Sequence, residues 1–399
     1  MKNRDLYLNQ LIDFKDKDLI KVITGVRRCG KSTLLLLYKE YLLKEGIKES
    51  NIIEMNFESL TFDDINDYKD LYNYVKSKIK NKSKHYILLD EIQEVDNWEK
   101  ALRSFRVDFN VDIYITGSNA HLLSGELATL LSGRCIQIKM FPLSFSEYIY
   151  FIETTTGKKE MFNDYLKYGG LPSLTNLKQT EAAKTTYLKD IFDMIVKRDV
   201  IARNKLVDVG LLEKILVFLS MNIGSTVSSK KISDYLTSNA NPTTHNTVDN
   251  YIKYLENALI LYKVKRHDIK GKKVLKTLGK YYFVDTGIKN AITGYRGDDR
   301  GHILENVVYY ELLRRGYEVN IGKLDDKEID FIATSQDEIK YIQVTETMLG
   351  EETRDRELFP LQNINDNFEK IILSLDETYI KTTDDGIKII NIIDFLLDT

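Results

Sequence analysis

Short apolar runs alternate with helical patterns along the N-terminal third of the chain. Leu19 to Thr24 is apolar and β-branched, and the helical pattern of Thr33 to Leu43 follows it. Two more runs of the same kind are Tyr86 to Leu89 and Val111 to Thr116. Short apolar strands separated by helices are typical of a parallel sheet that helices cover on both faces. The pattern predicts an α/β domain over residues 1–146.

The middle of the chain changes to a helical pattern. Glu147 to Arg203 reads as mainly helical around a Gly169-Gly170-Leu171-Pro172 break, which predicts a helical region over 147–205. Three helical segments and then two strand-like runs follow: Val209–Met221, Ser228–Leu236, Thr244–Ala258, Ile260–Arg266 and Lys280–Val284. This is the order of a winged helix-turn-helix, which we predict over 206–286, with Thr243 or Thr244 as the N-cap of the third helix.

The C-terminal pattern again mixes a helix with short strands. Leu304 to Gly316 is an amphipathic helix with a glycine at its end, and Tyr317 to Ile321 begins a strand. Glu328 to Ala333 and Tyr341 to Thr345 are two more short apolar strands. The order predicts a second α/β domain over 287–399.

Composition and charge narrow the class of protein. A chain of 399 residues with 43% hydrophobic residues is expected to form two to four packed domains. The formal net charge of −3 means that any nucleic-acid site has to come from local charge asymmetry. The two cysteines lack metal or disulfide spacing, and the sequence shows neither a signal-peptide core nor a membrane-length apolar run. We expect a cytoplasmic protein with no membrane partner.

A phosphate-binding pattern lies between the first strand and the first long helix. It reads Gly25-Val26-Arg27-Arg28-Cys29-Gly30-Lys31-Ser32, and Thr33 continues into the helix. The glycines allow backbone N–H groups and the helix N-terminus to face phosphates, while Lys31 reaches the β and γ oxygens. Ser32 is the expected magnesium ligand. The pattern predicts an ATP site that uses Mg²⁺.

Two acids end the next strand. Asp90 follows the run Tyr86 to Leu89, so its carboxylate is expected at the strand's carboxyl end, where it orders magnesium. Glu91 is placed to polarise the attacking water. The alternative is that the two carboxylates only cap the following helix.

Two further polar residues are candidates for the same chemistry. Asn119 follows the strand Val111 to Thr116, so it is expected at the same sheet edge, near the γ-phosphate, as a sensor. Arg134 precedes the strand-like run Cys135 to Met140 and is a candidate arginine finger that acts on the site of a neighbouring subunit in a homo-oligomer. The alternative for Arg134 is a surface ion pair.

These motifs, with Leu88 to Gln93, Thr116 to Asn119 and Ser132 to Arg134, resemble those of prokaryotic AAA-family ATPases that carry an appended C-terminal domain. The resemblance covers nearly the whole chain. It implies that Lys31 and Ser32 hold nucleotide and magnesium, that Asp90 and Glu91 are the Walker B acids, and that 147–205 is the helical lid. Lys197, Arg198 and Arg203 in that region are candidates for sensing nucleotide from the lid, and the alternative is a solvated helix face.

A lysine-rich stretch accompanies the predicted winged helix. Its basic residues are opposed only by Asp268, and they are Lys263, Lys265, Arg266, Lys270, Lys272, Lys273, Lys276 and Lys280. Together with Thr244 and His245 at the start of the third helix, Lys270, Lys272 and Lys273 are candidate contacts for duplex DNA. The alternatives are a protein-docking winged helix and a solvated edge that blocks strand pairing.

The C-terminal element order resembles that of the PD-(D/E)xK nuclease superfamily. Glu305 and Asp330 match its first two acids, but Gln343 stands at the third acid position and Thr345 at the lysine position. An amide lacks the charge of a carboxylate, and a hydroxyl cannot replace an ammonium beside an attacking water. We therefore expect a degenerate site without nuclease activity.

The combined reading is a Mg-dependent AAA-type ATPase coupled to DNA binding. The alternative is a nucleotide-regulated switch that binds a protein and no DNA, and an ATP-dependent nuclease is disfavoured by Gln343 and Thr345.

Overall fold

In the computed structural model, which describes residues 2–120, 133–152, 156–175, 180–271, 273–377 and 381–398, the chain divides into two compact units. The first unit contains the chain up to Met140 together with Asn257–Leu259, and the second contains Phe141–Glu256 and Ile260–Thr399. The predicted core boundary at 146 therefore lies six residues beyond the end of the first unit.

A parallel sheet forms the centre of the first unit. In the described residues its five strands are β1 (Ile20–Thr24), β2 (Ile52–Asn56), β3 (His85–Asp90), β4 (Val111–Gly117) and β5 (Cys135–Lys139). Their order is β2-β3-β4-β1-β5, and every pair is parallel. β1 and β3 are buried along their whole length, which explains why they read as continuous apolar runs. The predicted α/β fold of this region is confirmed.

Helices pack on both sides of the sheet and complete the first unit. They are α1 (Asp5–Asp13), α2 (Lys31–Lys44), α3 (Tyr68–Lys78) and α4 (Trp98–Asp108). One face of the sheet packs with α3 and α4 in a core that includes Leu71, Val75 and Phe105. The Asp67 side chain caps α3 by accepting the N–H of Lys69 at 2.7 Å.

The second unit begins with the predicted helical region. Its helices are α5 (Phe145–Ile152), α6 (Lys158–Tyr168), α7 (Pro172–Thr175) and α8 (Glu181–Ile195), and α8 continues into a π-helical stretch, Val196–Ala202. The break at Gly169 and Gly170 is held from elsewhere in the unit, because Asp285 accepts the N–H of Gly170 at 2.7 Å. A Cβ on Gly169 would lie 2.0 Å from the Asp285 carboxylate, so only glycine fits there.

Three helices and a hairpin follow in the predicted order. They are α9 (Val209–Met221), α10 (Ser229–Ser238), α11 (His245–Asn257), β6 (Leu261–Asp268) and β7 (Lys273–Phe283). The Thr244 hydroxyl accepts the N–H of Thr247 at 3.2 Å, as expected of an N-cap. β7 is longer than the predicted strand Lys280–Val284, and it pairs antiparallel with β6.

The hairpin is part of a larger sheet that contains the C-terminal strands. These are β8 (Glu318–Leu324), β9 (Lys327–Thr334), β10 (Ile339–Thr345), β11 (Glu369–Ser374) and β12 (Lys388–Asn391). In the described residues the strand order is β12-β11-β10-β9-β8-β6-β7, with β6 parallel to β8. The predicted boundary at 286/287 therefore does not separate two sheets, because main-chain hydrogen bonds join the hairpin to β8.

The remaining helices flank this sheet. They are α12 (Thr286–Thr293), α13 (Arg300–Arg314), α14 (Glu351–Gln362) and α15 (Ile392–Leu397). The order from α13 onward is one helix, three antiparallel strands, a second helix and a strand parallel to β10. Within the described part of the chain, no helix combines the length and the apolar character that crossing a bilayer requires.

Candidate functional site

The glycine-rich loop connects β1 to α2, as the sequence predicts. A Cβ on Gly25 would lie 2.3 Å from the carbonyl oxygen of Met140 and 2.7 Å from the Cys29 sulfur, so the loop requires glycine there. Gly30 adopts a φ of 106° at the start of α2, a conformation that side chains disfavour. Val26 and Cys29 are buried, which anchors the loop in the unit. The loop therefore presents the α2 N-terminus in a fixed shape.

Lys31 lies over this loop. Its ammonium donates to the carbonyl oxygen of Gly25 at 3.1 Å and to that of Val26 at 3.4 Å. The Glu91 carboxylate is 3.5 Å away. Lys31 at the start of α2 and Glu91 after β3, which the sequence assigns to the same reaction, are therefore close together.

The sheet order places β4 between β1 and β3, so Asp90 is separated from the glycine-rich loop by one strand. Thr116 on that strand bridges the gap. Its hydroxyl donates to Asp90 at 2.5 Å and accepts the N–H of Glu91 at 2.9 Å. Burial raises the pKa of Asp90, while hydrogen bonds from Thr116 and Ser32 oppose the rise. The hydroxyl of Ser32 and the carboxylate of Asp90 are adjacent oxygen donors, the ligand type that Mg²⁺ takes.

Glu91 is held in one orientation. Its backbone is left-handed at a φ of 55°, and Gln93 donates to its carboxylate at 2.5 Å. Burial raises the pKa of Glu91, but Lys31 and Gln93 outweigh burial, so the net pKa lies below the ordinary value. The side chain is therefore ionised at neutral pH and can accept a proton or orient a water molecule.

Asn119 and Arg134 occupy opposite edges of the sheet. Asn119 is buried two residues beyond the carboxyl end of β4, at the edge that also carries Asp90. Arg134 is exposed and precedes β5, whose first residue pairs with Ile20 at the amino end of β1. The five residues of β1 span about 16 Å, so Arg134 lies at the far edge from the glycine-rich loop.

The acids of the C-terminal domain meet around Lys280, which the sequence placed in the lysine-rich stretch beside the predicted winged helix. The ammonium of Lys280 lies 2.9 Å from Glu305, 3.0 Å from Glu328 and 3.2 Å from Asp330. Lys280 is buried and faces into the unit from β7, so the prediction that it belongs to the basic surface available to DNA phosphates is wrong. Tyr282 also donates to Glu305 at 2.8 Å.

The electrostatics of this cluster are strongly coupled. Burial and the neighbouring Glu305 raise the pKa of Asp330 to about 7, against the effect of Lys280. Burial also opposes ionisation of Glu305, but Lys280 and His302 hold its pKa below the ordinary value. Among the described residues, no group of three or more His, Cys, Asp or Glu side chains is arranged to hold a metal ion. The acids are instead neutralised by a cation of the chain itself.

Gln343 braces the cluster. Its carbonyl oxygen accepts the N–H of Asp330 at 2.7 Å, and its amide donates to Glu357 at 2.9 Å. The Thr345 hydroxyl donates to the carbonyl oxygen of Thr347 at 3.2 Å. A cavity of about 940 Å³ opens beside them, and its lining includes the acidic residues Glu305, Asp330 and Glu357. The structure therefore brings Glu305, Asp330 and Gln343 together, as the sequence predicts.

The candidate DNA contacts are more dispersed. His245 is exposed at the start of α11, and Lys273 is exposed on β7. Lys270 is exposed and forms an ion pair with Asp325 at 2.5 Å. Lys272 lies outside the described residues. Lys263 and Lys265 are exposed on one face of β6 because they alternate with the buried Val264.

Three residues that contact the predicted site residues were not predicted to do so from the sequence, and they are Thr116, Lys280 and Glu328. Glu328 and Asp330 are two positions apart in a strand and therefore share a face, a signal that the sequence does contain. Thr116 and Lys280 gave no such signal, because their partners come from other strands and from α13.

Comparisons with known proteins identify two matching family profiles and several relatives. A family profile described as an AAA domain matches residues 17–149, and one described as a domain of unknown function matches 159–299. An uncharacterized protein of Haemophilus influenzae is 45% identical over 100% of this chain and 99% of its own length. One of Methanocaldococcus jannaschii is 31% identical over 98% of this chain and 90% of its own length.

The fold has a counterpart among solved structures. A Walker-type ATPase of Pyrococcus abyssi superposes with a TM-score of 0.51 at 14% identity, over 73% of this chain and 96% of its own. At that identity the likeness concerns the fold alone.

Proposed function

We propose that this P-loop AAA-family chain, whose residues 17–149 match an AAA domain, binds ATP with Mg²⁺ and hydrolyses it. One observation carries the proposal: Lys31, Ser32, Asp90 and Glu91 meet at the edge of one sheet, and Thr116 ties the two acids together. These are the groups that phosphoryl transfer to water requires.

Each residue has a distinct task in this reaction. The N–H groups of the loop and the α2 N-terminus bind phosphate oxygens, and Lys31 neutralises charge on them. Ser32 and Asp90 would hold Mg²⁺, which would neutralise the charge that develops on the phosphate oxygens. Glu91 orients the attacking water and accepts its proton, since its carboxylate is ionised at neutral pH. Asn119 is the proposed γ-phosphate sensor.

Steady-state phosphate release with and without Mg²⁺ tests the proposal. Lys31→Ala is expected to lose nucleotide binding, measured with a fluorescent ATP analogue. Glu91→Gln is expected to bind nucleotide and to lower kcat by about 10²- to 10⁴-fold. Lys39→Ala on the same helix as Lys31 and Glu94→Gln three residues after Glu91 serve as matched controls, because Lys39 is partly exposed and Glu94 is exposed. Hydrolysis that survives in Glu91→Gln would contradict the role of Glu91.

A second candidate function is coupling of hydrolysis to duplex DNA. The helix order α9-α10-α11 before a hairpin supports it, as do the exposed Lys263, Lys265 and Lys273. Burial of Lys280 and the Lys270–Asp325 pair reduce the basic surface that the sequence indicated. We propose low-affinity binding with little sequence preference, carried by contacts to phosphates.

The salt dependence of DNA binding tests this coupling. Replacing Lys263, Lys265 and Lys273 with alanine should lower the slope of log K against log salt by about 0.9 for each lost contact. Replacing the exposed Lys69, Lys76 and Lys78 on α3 is the control. ATP hydrolysis that duplex DNA leaves unchanged, with an unchanged salt slope, would favour a protein partner instead.

We propose that the C-terminal domain is a binding or regulatory scaffold without nuclease activity. Its element order supports the nuclease-like fold, while Lys280 occupies the centre of the acids and Gln343 braces Asp330. Plasmid incubated with Mg²⁺ or Mn²⁺ should remain intact. Cleavage that disappears in Asp330→Ala would overturn the proposal.

A further inference from the structure

The two arginines of the glycine-rich loop have different environments. Arg28 is exposed, with a left-handed φ of 69°, whereas Arg27 is buried. The guanidinium of Arg27 donates to the Glu58 carboxylate at 2.6 Å. The loop thus directs one cation toward solvent and the other toward the carboxyl edge of the sheet.

Glu58 belongs to a chain of contacts that ends at the proposed magnesium acid. The N–H of Glu58 donates to the Asn56 side chain at 2.9 Å, and Asn56 donates to the Asp90 carboxylate at 3.0 Å. The positive charge of Arg27 also helps to lower the pKa of Glu91. Arg27 therefore stands among the acids of the reaction centre and not on the outer surface of the loop.

We infer that Arg27 is a phosphate-contacting catalytic residue, which exchanges its bond to Glu58 for one to the triphosphate. This rests on the proposed ATPase function and adds to it a cation supplied by the same subunit. A guanidinium offers a fork of N–H donors that matches phosphate oxygens, and it keeps its charge at any working pH. Arg134, at the opposite sheet edge, cannot provide this contact within one subunit.

The alternative role for Arg27 is a structural brace in which the bond to Glu58 is the purpose of both residues. The two roles predict opposite effects for Glu58. If Glu58 competes with phosphate for the guanidinium, its neutralisation frees Arg27 for the nucleotide. If the pair is a structural brace, neutralisation of Glu58 damages the loop in the same way as loss of Arg27.

Steady-state hydrolysis by the full chain separates these roles. Arg27→Ala should lower kcat/KM for ATP more than tenfold, Arg27→Lys should recover part of the loss, and Glu58→Gln should remain at or above the wild-type value. Arg106→Ala is the matched control. Arg106 lies on α4, away from the loop, and its guanidinium pairs with the exposed Asp18 carboxylate at 2.7 Å. Circular dichroism and Trp98 emission verify that each variant is folded.

The outcome is decisive in either direction. A kcat/KM of Arg27→Ala within tenfold of wild type, or a loss of activity in Glu58→Gln, overturns the inference. If the wild-type protein neither binds the fluorescent ATP analogue nor releases phosphate, the proposed function itself fails. Wild-type hydrolysis with an active Arg27→Ala variant refutes only the role of Arg27.

Discussion

Replacing Lys280 with methionine removes the cation from the acidic cluster and keeps the length of the side chain. At an effective dielectric constant of about 20, each ammonium–carboxylate contact near 3 Å contributes a gross attraction of roughly 5 to 6 kcal/mol. Glu305 and Asp330 are largely buried, whereas the Glu328 carboxylate is about one-third exposed, so solvent screens its share. The cost of desolvating the lysine and the repulsion among the acids offset most of this attraction.

The net effect follows from what the variant leaves behind. Breaking a buried ion pair by removing one partner typically costs about 3 to 5 kcal/mol, because the other charge stays buried and uncompensated. We expect Lys280→Met to lower the free energy of unfolding by that amount at pH 8. The loss should shrink at pH 5, because protonation of the abandoned carboxylates removes their repulsion. In the wild type, by contrast, Glu305 has a lowered pKa and loses its stabilising ionisation as the pH falls.

Urea unfolding followed by two signals measures this effect. Ellipticity reports on both units, whereas Trp98, the single tryptophan of the chain, reports on the first unit. The midpoint of the ellipticity transition should move to a lower urea concentration, and the midpoint of the Trp98 transition should move less. Lys270→Met, which breaks the exposed pair with Asp325, is the control and should change stability by no more than about 1 kcal/mol. A loss for Lys280→Met below about 1 kcal/mol, or one that does not depend on pH, would refute the reasoning.

Three other predictions concern single contacts. Thr116→Val removes the hydroxyl that binds Asp90 and the N–H of Glu91, so Mg²⁺-dependent ATP hydrolysis should fall more than tenfold. Hydrolysis equal to that of the wild type at saturating Mg²⁺ would contradict this role of Thr116. Lys21→Met leaves the buried Asp112 unpaired and should destabilise the first unit by about 3 to 5 kcal/mol in the Trp98 transition, whereas adding Asp112→Leu should recover much of the loss. Asp330 has a folded pKa of about 7, above its unfolded value, so its ionisation destabilises the fold. The urea midpoint measured by ellipticity should therefore fall as the pH rises from about 4 to 7. Asp330→Asn should flatten this pH dependence, and an unchanged slope would contradict the prediction.

The sequence by itself determined the local parts of the first unit. Strand, glycine-rich loop and helix are contiguous between Leu19 and Leu43, so their chemistry is readable without knowledge of the sheet. The same holds for Asp90 and Glu91 at the end of an apolar strand. Helices α9 to α11 and strands β8 to β10 were also located, because their periodic patterns are strong, whereas β11 and β12 were not predicted.

Only the tertiary structure decided which distant side chains meet. Thr116 became the link between two acids because the strand order inserts β4 between β1 and β3, and sequence patterns carry no strand order. Lys280 looked like one more lysine of a basic hairpin, but pairing of β6 with β8 places its strand in the C-terminal sheet, where α13 supplies Glu305. The physical reason is common to both cases. Local sequence encodes the periodicity of an element, whereas burial and charge pairing depend on neighbours brought together by long-range strand pairing.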